Sequence, residues 1–201
     1  MRIIAGSHRS RSLDAPAGLA TRPTSDRLRE TLFNVLAPRI HGARFLDLYA
    51  GSGAVGMEAL SRGAAEVMFV ERAPAALKAL RGNLDRLEFA AGLHVHAGTV
   101  GGWLKQFSNG GKAHETRSTF DFVFLDPPYE AGDEYAATLN LLGGRAASLL
   151  ENEAWVIAEH RRKDRLAETY GALTRFRLLE QGDAALSFFT RSAEEQLETS
   201  G

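Results

Sequence analysis

Apolar residues along the chain fall into short continuous runs that alternate with segments of helical spacing. Four runs predict buried strands: "ARFLDLYA" (43–50), "EVMFVER" (66–72), "LHVHAG" (93–98) and "FDFVFLDPPY" (120–129). The segments between them predict a turn with a helix, "GSGAVGMEALSRGA" (51–64), and two further helices, "PAALKALRGNLDRLEF" (74–89) and "TVGGWLKQF" (99–107). The pattern is therefore strand, helix, strand, repeated.

The flanking segments complete this pattern. The sequence predicts a helix over 24–40, which Thr24 or Ser25 can cap, a helix over 133–150, a strand over 153–160 and a short helix over 164–170. Two strands within 173–191 are joined by "QGD", a hairpin signal. We expect a β-hairpin-like basic extension over 1–20, a main domain over 21–191 and a polar tail over 192–201.

Nearly continuous apolar strands that alternate with helices indicate an α/β domain with a doubly wound, mostly parallel sheet covered on both faces. The sequence predicts seven strands, with an antiparallel hairpin at the C-terminal end. Ligands of such sheets bind beyond the carboxyl ends of the strands. Five residues far apart in sequence fall at those ends: Asp47, Gly51, Glu71, Gly98 and Asp126.

The amino-acid composition narrows the possible classes of protein. The 201 residues are 44% hydrophobic and include no cysteine, so thiolate metal sites and cysteine nucleophiles are excluded. No signal-peptide pattern or membrane-length apolar run occurs, and we expect a cytoplasmic protein. The net charge is −1, yet residues 1–39 hold seven arginines against three acids. That local excess fits either a solvated surface or a phosphate-binding surface.

The turn after the first strand has the pattern G-x-G-x-x-G, with Gly51, Gly53 and Gly56. Its position between a strand and a helix is typical of a nucleotide site, with Gly53 for close ligand approach and Gly56 for helix packing. Glu71 lies twenty residues after Gly51 and can accept hydrogen bonds from both ribose hydroxyls. A plain tight turn is the alternative interpretation.

Asp47 bears on which nucleotide binds. A carboxylate just before the glycine turn would lie near the phosphates of NAD, whereas a phosphate-free cofactor with a cationic amino or sulfonium group tolerates it. Asp47 can also fix the turn through backbone N–H groups, and both roles are compatible. Since no hydride-transfer machinery is evident, a phosphate-free cofactor is favoured.

Residues 126–129, "DPPY", follow the fourth strand. Proline has no backbone N–H and a fixed φ, so Pro127 and Pro128 end the strand with a rigid, extended exit. Together with "FLDLYAGSGAVGMEALSRGA" and Glu71, "DPPY" resembles S-adenosylmethionine-dependent methyltransferases that modify amino groups. "RPTSDRLRETLFNVL" and "GDAALSFF" resemble, more narrowly, the RsmD family of bacterial 16S rRNA guanine-N2 methyltransferases.

The resemblance implies a Rossmann-like class I methyltransferase fold and a set of cofactor contacts. Arg22, Pro23 and Thr24 would border the methionine end of the cofactor, Glu71 the ribose and Arg72 the adenine. The turn would wrap the cofactor with seven consecutive residues: Asp47, Leu48, Tyr49, Ala50, Gly51, Ser52 and Gly53. Where many relatives have an acid after the third strand, this chain has Gly98 and Thr99, and a threonine hydroxyl accepts more weakly than a carboxylate.

The resemblance also implies the chemistry. Asp126 and the Pro127 carbonyl would hold the two N–H bonds of an exocyclic amine, Pro128 would keep the turn rigid and Tyr129 would stack on the base. The methyl would pass directly to nitrogen without a metal, leaving S-adenosylhomocysteine. Arg2, Arg9 and Arg11 would hold RNA phosphates. The expected partner is 16S rRNA or the assembling 30S subunit, and a monomer is expected.

Several alternatives remain open from sequence. A DNA adenine-N6 or cytosine-N4 methyltransferase would share "DPPY", but it usually carries a recognition segment for which this chain has no room. A protein-glutamine methyltransferase usually has Asn in place of Asp126. A non-catalytic nucleic-acid-binding protein and an NAD-dependent oxidoreductase are more remote. The sequence leaves unassigned the modified guanine, the assembly state of the substrate and the role of loop 108–118.

Overall fold

The computed structural model describes residues 1–15, 26–89, 92–107, 119–128 and 132–192. Within these ranges the chain forms one mixed sheet flanked by α-helices. The helices are α1 (Asp26–Leu36), α2 (Ala54–Ser61), α3 (Pro74–Leu87), α4 (Val100–Phe107) and α5 (Gly132–Leu142). The strands are β1 (Arg44–Leu48), β2 (Glu66–Glu71), β3 (Leu93–Ala97), β4 (Phe120–Leu125), β5 (Leu150–Arg161), β6 (Thr169–Tyr170), β7 (Leu173–Gln181) and β8 (Ala184–Arg191).

The sheet order is β3-β2-β1-β4-β5-β8-β7-β6. Strands β1 to β5 are parallel, and β8 runs antiparallel to both β5 and β7. The predicted doubly wound α/β fold with a C-terminal antiparallel hairpin is confirmed. The order reverses between β2-β1 and β4, which places a switch point at the carboxyl ends of β1 and β4.

Two hydrophobic cores cover the two faces of the sheet. One contains the apolar residues of α1, α2 and α3 together with Phe45, Phe122 and Phe124. The other packs α4 and α5 against Leu46, Val123 and their neighbours. Because successive strand residues face opposite sides, odd and even positions of β1 divide between the two cores.

Four predictions about elements were wrong. The segment 164–170 is not a helix, since it is a turn followed by the short strand β6, which makes eight strands instead of seven. The helix expected over 133–150 ends at Leu142, and a short 3₁₀ helix, Ala147–Leu149, leads into β5. Strand β5 is longer than the expected 153–160, and α1 ends at Leu36 rather than near residue 40.

The N-terminal arm, residues 1–15, folds back on itself as expected. Arg2 and Ser12 form an isolated antiparallel bridge, and the backbone N–H of Ile3 donates to the Arg11 carbonyl at 2.9 Å. Ile3 and Leu13 are buried in the core that α1, α2 and α3 share. The arm is therefore fixed on the main domain, while the predicted division at residue 20 stays a prediction.

Candidate active site

The carboxyl ends of β1, β2, β3 and β4 bring together the residues that the sequence placed at strand ends. Glu71 is the last residue of β2, and Gly98 and Asp126 directly follow β3 and β4. The Gly98 N–H donates to the Glu71 carbonyl at 2.8 Å, and the Gly51 N–H donates to Glu71 Oε2 at 2.8 Å. The predicted convergence at one edge of the sheet is confirmed.

The glycine turn adopts backbone angles that its sequence permits. Gly51 and Gly53 have φ of 57° and 80°, in the left-handed region where glycine is favoured. A Cβ at Gly53 would lie 2.3 Å from Leu80 Cδ1, so the turn packs closely on α3. Among the described residues, a Cβ at Gly51 would meet only the Tyr49 carbonyl, at 4.0 Å, so these residues leave room beside the turn.

Gly56 has the packing role predicted for the third glycine of the motif. A Cβ there would lie 2.3 Å from Phe69 Cε1 and 2.8 Å from Val67 Cγ1. The close approach brings the Gly56 N–H to Asp47 Oδ2, at 2.9 Å. Asp47 therefore fixes the start of α2 onto β1, which confirms its predicted structural role.

Asp47 is also an unusual carboxyl group. It is 2% exposed, and burial raises its pKa to about 8, with the Glu71 carboxylate adding to the rise and the Gly56 N–H opposing it. Near neutral pH this group holds its proton in the folded protein. A cation placed beside Asp47 would lower its pKa again.

Glu71 organises the turn with both carboxylate oxygens. Oε1 accepts from the backbone N–H groups of Arg72 and Ala73, at 2.8 and 2.7 Å, and Oε2 accepts, within the part of the chain that the structure describes, only the Gly51 N–H. A carboxylate offers about four lone-pair positions, so Oε2 keeps capacity for a ligand hydroxyl. Arg72 itself is exposed.

The other predicted turn residues lie where the motif requires. Leu48, Ala50 and Ser52 are buried, and the Ala50 N–H donates to the Val70 carbonyl at 3.1 Å. Tyr49 has φ of 61°, and its hydroxyl is 2.7 Å from Thr138 Oγ1 on α5. Burial raises the pKa of the Tyr49 hydroxyl, which therefore remains protonated.

Thr99 has a structural task in addition to its predicted one. It is exposed, and its Oγ1 accepts from the Gly102 N–H at 3.1 Å, as the N-terminal cap of α4. A capping hydroxyl can still donate its own proton. Cofactor contact by Gly98 and Thr99 stays a prediction.

Asp126 is half-buried at the end of β4, with Pro127 buried and Pro128 exposed behind it. Burial raises the pKa of Asp126 well above its usual range, and the nearby Glu159 and Asp47 carboxylates raise it further. Tyr129 lies outside the described residues, as do Arg22, Pro23, Thr24, the Thr24 or Ser25 cap and loop 108–118. Their predicted roles stay predictions.

The three arginines of the arm are exposed but differ in position. Arg2 Nε lies 3.7 Å from Asp26 Oδ2, which partly neutralises it, and Arg11 Nη2 donates a long 3.5 Å bond to the Arg86 carbonyl. Arg9 lies at the turn of the arm, and with Arg2 it lines a groove against the first turns of α1. Because the arm's turn contacts Ser61, the last residue of α2, Arg9 is away from the glycine turn.

Four buried polar residues that hold this site together were missed from sequence. Asn83 donates to the carbonyls of Asp14 and Ser52, at 3.0 and 3.1 Å, and so links the arm to the glycine turn. Glu58 accepts the N–H groups of Ile4 and Ala5, at 2.7 and 3.0 Å. The others are Arg29 and Glu159. Each contacts residues distant in sequence, so local motifs give little signal.

Arg29 lies fully buried on α1 and connects the arm to the acidic groups. Its Nη2 donates to the Arg2 carbonyl at 2.5 Å and to Asp26 Oδ1 at 3.0 Å, and its Nε lies 3.8 Å from Glu58 Oε2. Burial lowers the pKa of Arg29, while Glu58, Asp26 and Glu159 counteract that effect. The guanidinium nevertheless remains charged at any physiological pH.

The chain is similar to known proteins over most of its length. Residues 1–190 match the family described as "Conserved hypothetical protein 95". The chain is 39% identical to the candidate rRNA methyltransferase YlbH of Bacillus subtilis (strain 168), over 86% of this chain and 89% of that one. It is 38% identical to ribosomal RNA small subunit methyltransferase D of Escherichia coli (strain K12), over 79% of this chain and 71% of that one.

A solved structure shows the same architecture. The methyltransferase candidate yhhF from Escherichia coli superposes with a TM-score of 0.79 at 34% identity, covering 96% of this chain and 98% of the other. Fold and site thus define the class of α/β methyltransferases with a Rossmann-like sheet. Within that class, the chain belongs to the RsmD family. Across the described residues, no helix has the length and apolar character needed to cross a membrane.

Proposed function

We propose that the protein transfers a methyl group from S-adenosylmethionine to the exocyclic N2 amine of a guanine in small-subunit ribosomal RNA. Family membership supports the reaction class, and the Escherichia coli relative is named for the small subunit. The observation that carries the proposal is the position of Asp126 and Pro127, at the switch point and beside the glycine turn of β1. The site would act in the cytoplasm on 16S rRNA or an assembling 30S subunit, as a monomer.

The chain's own residues fit the cofactor. The space that the described residues leave beside Gly51 and the remaining acceptor capacity of Glu71 Oε2 suit a nucleoside whose ribose lies along the turn. Buried Asp47 suits a positive charge more than a phosphate. When bound, the cofactor supplies an electrophilic methyl group on a sulfonium. Arg22, Pro23, Thr24, Arg72, Gly98 and Thr99 complete the proposed contacts.

Asp126 and the Pro127 carbonyl hold the amine. The nitrogen lone pair of a base amine is delocalised into the ring, so two acceptors on its N–H bonds favour the tetrahedral geometry that attack requires. The raised pKa of Asp126 also suits it to take up the proton that the nitrogen releases after transfer. Tyr129 would stack on the base, which must leave its helix to reach this edge.

Arg2, Arg9 and Arg11 would bind phosphates of RNA that flanks the target nucleotide. Their exposure on a rigid arm supports that role, and the distance of the arm's turn from the glycine turn favours contact outside the catalytic pocket. Arg2 contributes least, because Asp26 partly neutralises it.

The test offers naked 16S rRNA, partly assembled and complete 30S particles, and DNA, each with methyl-labelled S-adenosylmethionine. We expect label in N2-methylguanine of ribosomal RNA, and nucleoside mapping identifies the base. Label in N6-methyladenine or in DNA would favour another nucleic-acid amino-methyltransferase. Absence of S-adenosylmethionine binding in calorimetry would favour a non-catalytic nucleic-acid-binding protein.

Asp126→Ala tests the catalytic assignment directly. We expect loss of methyl transfer with retained cofactor binding, since Asp126 contacts the base amine. The matched control is Asp133→Ala, which removes an exposed acid from the first turn of α5. Joint loss of transfer and cofactor binding in Asp126→Ala would instead indicate a structural role.

A further inference from the structure

Strand β7 carries an aromatic side chain at the protein surface. Phe176 is 46% exposed, and its ring centroid lies 5.3 Å from that of the half-buried Trp155 and 6.2 Å from that of the buried Phe188. Trp155 and Phe188 belong to the core that α1, α2 and α3 share. Phe176 therefore extends an aromatic cluster of that core out to solvent.

Two arginines flank this aromatic cluster. The guanidinium carbon of Arg39 lies 4.9 Å from the centroid of the Trp155 ring, and that of Arg177 lies 6.0 Å from the centroid of Phe188. Within the described ranges neither arginine forms an ion pair. Arg39 donates to the Glu153 carbonyl at 2.8 Å, and a guanidinium has five N–H donors. The surface formed by Phe176, Arg39 and Arg177, called here the β7 surface, is therefore both aromatic and positively charged.

The exposed face of β7 begins at the catalytic edge, the edge of the sheet where Asp126 follows β4. Gln181, the last residue of β7, is opposite Ala184, which is opposite Arg161 at the carboxyl end of β5. A strand rises about 3.4 Å per residue, so Phe176 lies about 17 Å before that end of β7, and three strand spacings of about 4.8 Å separate β7 from β4. A few nucleotides of single-stranded RNA can span this distance.

An exposed ring between two guanidinium groups suits an unpaired nucleotide. Bases stack on aromatic side chains with little regard to sequence, and guanidinium groups bind phosphates. Protein interfaces use continuous apolar patches instead. Among the described residues the other exposed large hydrophobic side chain is Leu178, and it is opposite Ser187, whose hydroxyl contacts His160 on the α5 side of the sheet. Because Leu178 and Phe176 lie on opposite faces of β7, they form no continuous patch.

We propose that the β7 surface binds single-stranded RNA, with an unpaired base of the substrate stacked on Phe176 and its phosphates held by Arg39 and Arg177. That this RNA is the methylated substrate rests on the proposed function and extends it by a second contact surface, beyond the arginines of the N-terminal arm. Since the surface is remote from Asp126, it contributes to the affinity for RNA and leaves the transfer step unchanged.

Binding of a fluorescent single-stranded oligoadenylate tests the surface without methyl transfer. Phe176→Ala should weaken binding about fivefold to a hundredfold, the contribution of stacking one base on an aromatic ring. Phe176→Trp should keep the affinity, whereas Phe176→Leu should lose it, because leucine is apolar but has no π-face. Arg177→Gln should lower the slope of log affinity against log salt by about 0.7. The matched control is Leu178→Ala, which removes a side chain of almost equal exposure, 44%, from the opposite face and should bind as the wild type.

Methyl transfer to small-subunit RNA then tests whether the substrate uses this surface. Phe176→Ala should raise KM for RNA by a factor similar to its loss of oligoadenylate affinity. The kcat and the affinity for S-adenosylhomocysteine should stay unchanged, a split that general damage to the fold would not produce. Phe176→Leu and Phe176→Trp keep a large side chain, so the comparison of these two variants decides if Phe176→Ala does not fold.

Several results would overturn the proposal. They are unchanged oligoadenylate binding or unchanged KM in Phe176→Ala, an equal loss in Leu178→Ala, and wild-type binding by Phe176→Leu, which would indicate a general apolar contact such as a protein partner makes. Self-association of the wild type that Phe176→Ala abolishes in sedimentation would assign the surface to a second copy of the chain instead. A wild type that binds oligoadenylate through Phe176 but methylates no RNA would refute the proposed function alone.

Discussion

Gly56→Ala tests whether the glycine motif is a packing requirement as well as a ligand site. Alanine has the better helix propensity by about 1 kcal/mol, so an exposed helical glycine gains stability from this change. At Gly56 the new methyl group would lie 2.3 Å from the Phe69 ring and 2.8 Å from Val67 Cγ1. Both neighbours are fully buried, so β2 or α2 must move.

The expected change in the free energy of unfolding follows from two opposing effects, overpacking of the core and improved helix propensity. Overpacking of a closely packed core costs about 1–3 kcal/mol, and the short distance to an aromatic ring places Gly56 at the upper end of that range. After the gain in helix propensity, we expect a net destabilisation of about 1–2 kcal/mol. Displacement of α2 would also lengthen the bond from the Gly56 N–H to Asp47, and cofactor affinity should fall with it.

The matched control is Gly82→Ala, in the exposed face of α3. A Cβ at Gly82 meets no atom of the described ranges within 4 Å, so this variant should gain about 0.5–1 kcal/mol. Urea unfolding measures both free energies, and calorimetry with S-adenosylhomocysteine measures the affinity. Equal stability of the two variants would refute the packing role of Gly56.

Three further predictions concern charge. In the folded protein Asp47 keeps its proton up to about pH 8, whereas in the unfolded chain it loses the proton near the ordinary pKa of an aspartate. Its contribution to the free energy of unfolding is therefore complete below about pH 4 and is lost as the pH rises to 8. Urea unfolding of Asp47→Asn should lack that slope, at most about 1.4 kcal/mol per pH unit, and an unchanged slope would contradict the assignment. S-adenosylmethionine binding near pH 7 should release protons from Asp47 and Asp126, and neutral S-adenosylhomocysteine should release fewer; calorimetry in buffers of different ionisation enthalpy compares them. Arg9→Gln should lower the slope of log affinity for RNA against log salt by about 0.7–0.9, while the exposed Arg145→Gln should leave it unchanged in the same filter-binding assay.

The wrong helix over 164–170 shows where periodicity fails. Leu166 and Tyr170 have helical spacing, yet Tyr170 is buried in the α5 face and its hydroxyl accepts the Ala167 N–H at 2.9 Å. The early end of α5 had a visible signal in the pair Gly143-Gly144. A Cβ at Gly143 would lie 1.8 Å from the Tyr170 carbonyl, so that close approach requires glycine.

The residues of the candidate site likewise fall into two groups, those that the sequence predicts and those that only the structure shows. Residues at the ends of apolar strands were predictable, because parallel strands bring their carboxyl ends to one edge whatever the intervening chain does. Glu159 lies within the apolar run "EAWVIAEH", and its effect on the pKa of Asp126 depends on the register between β4 and β5, since the two acids are 33 residues apart in sequence. Asn83 contacts Asp14 across 69 residues. Such pairings are set by the sheet and the helix packing, so only the structure shows them.

The charges at the carboxyl ends of the parallel strands also bear on which cofactor binds there. Burial raises the pKa of Asp126 well above its ordinary value, and the negative charges of Glu159 and Asp47 raise it further. A dinucleotide would bring two phosphates to this edge and add to the repulsion, whereas a sulfonium brings a positive charge that lowers the pKa of its neighbours. A bound cationic cofactor would favour the ionised form of Asp126, the form that accepts hydrogen bonds from an amine. The charge of these acids therefore favours the proposed sulfonium cofactor over a ligand that carries phosphates.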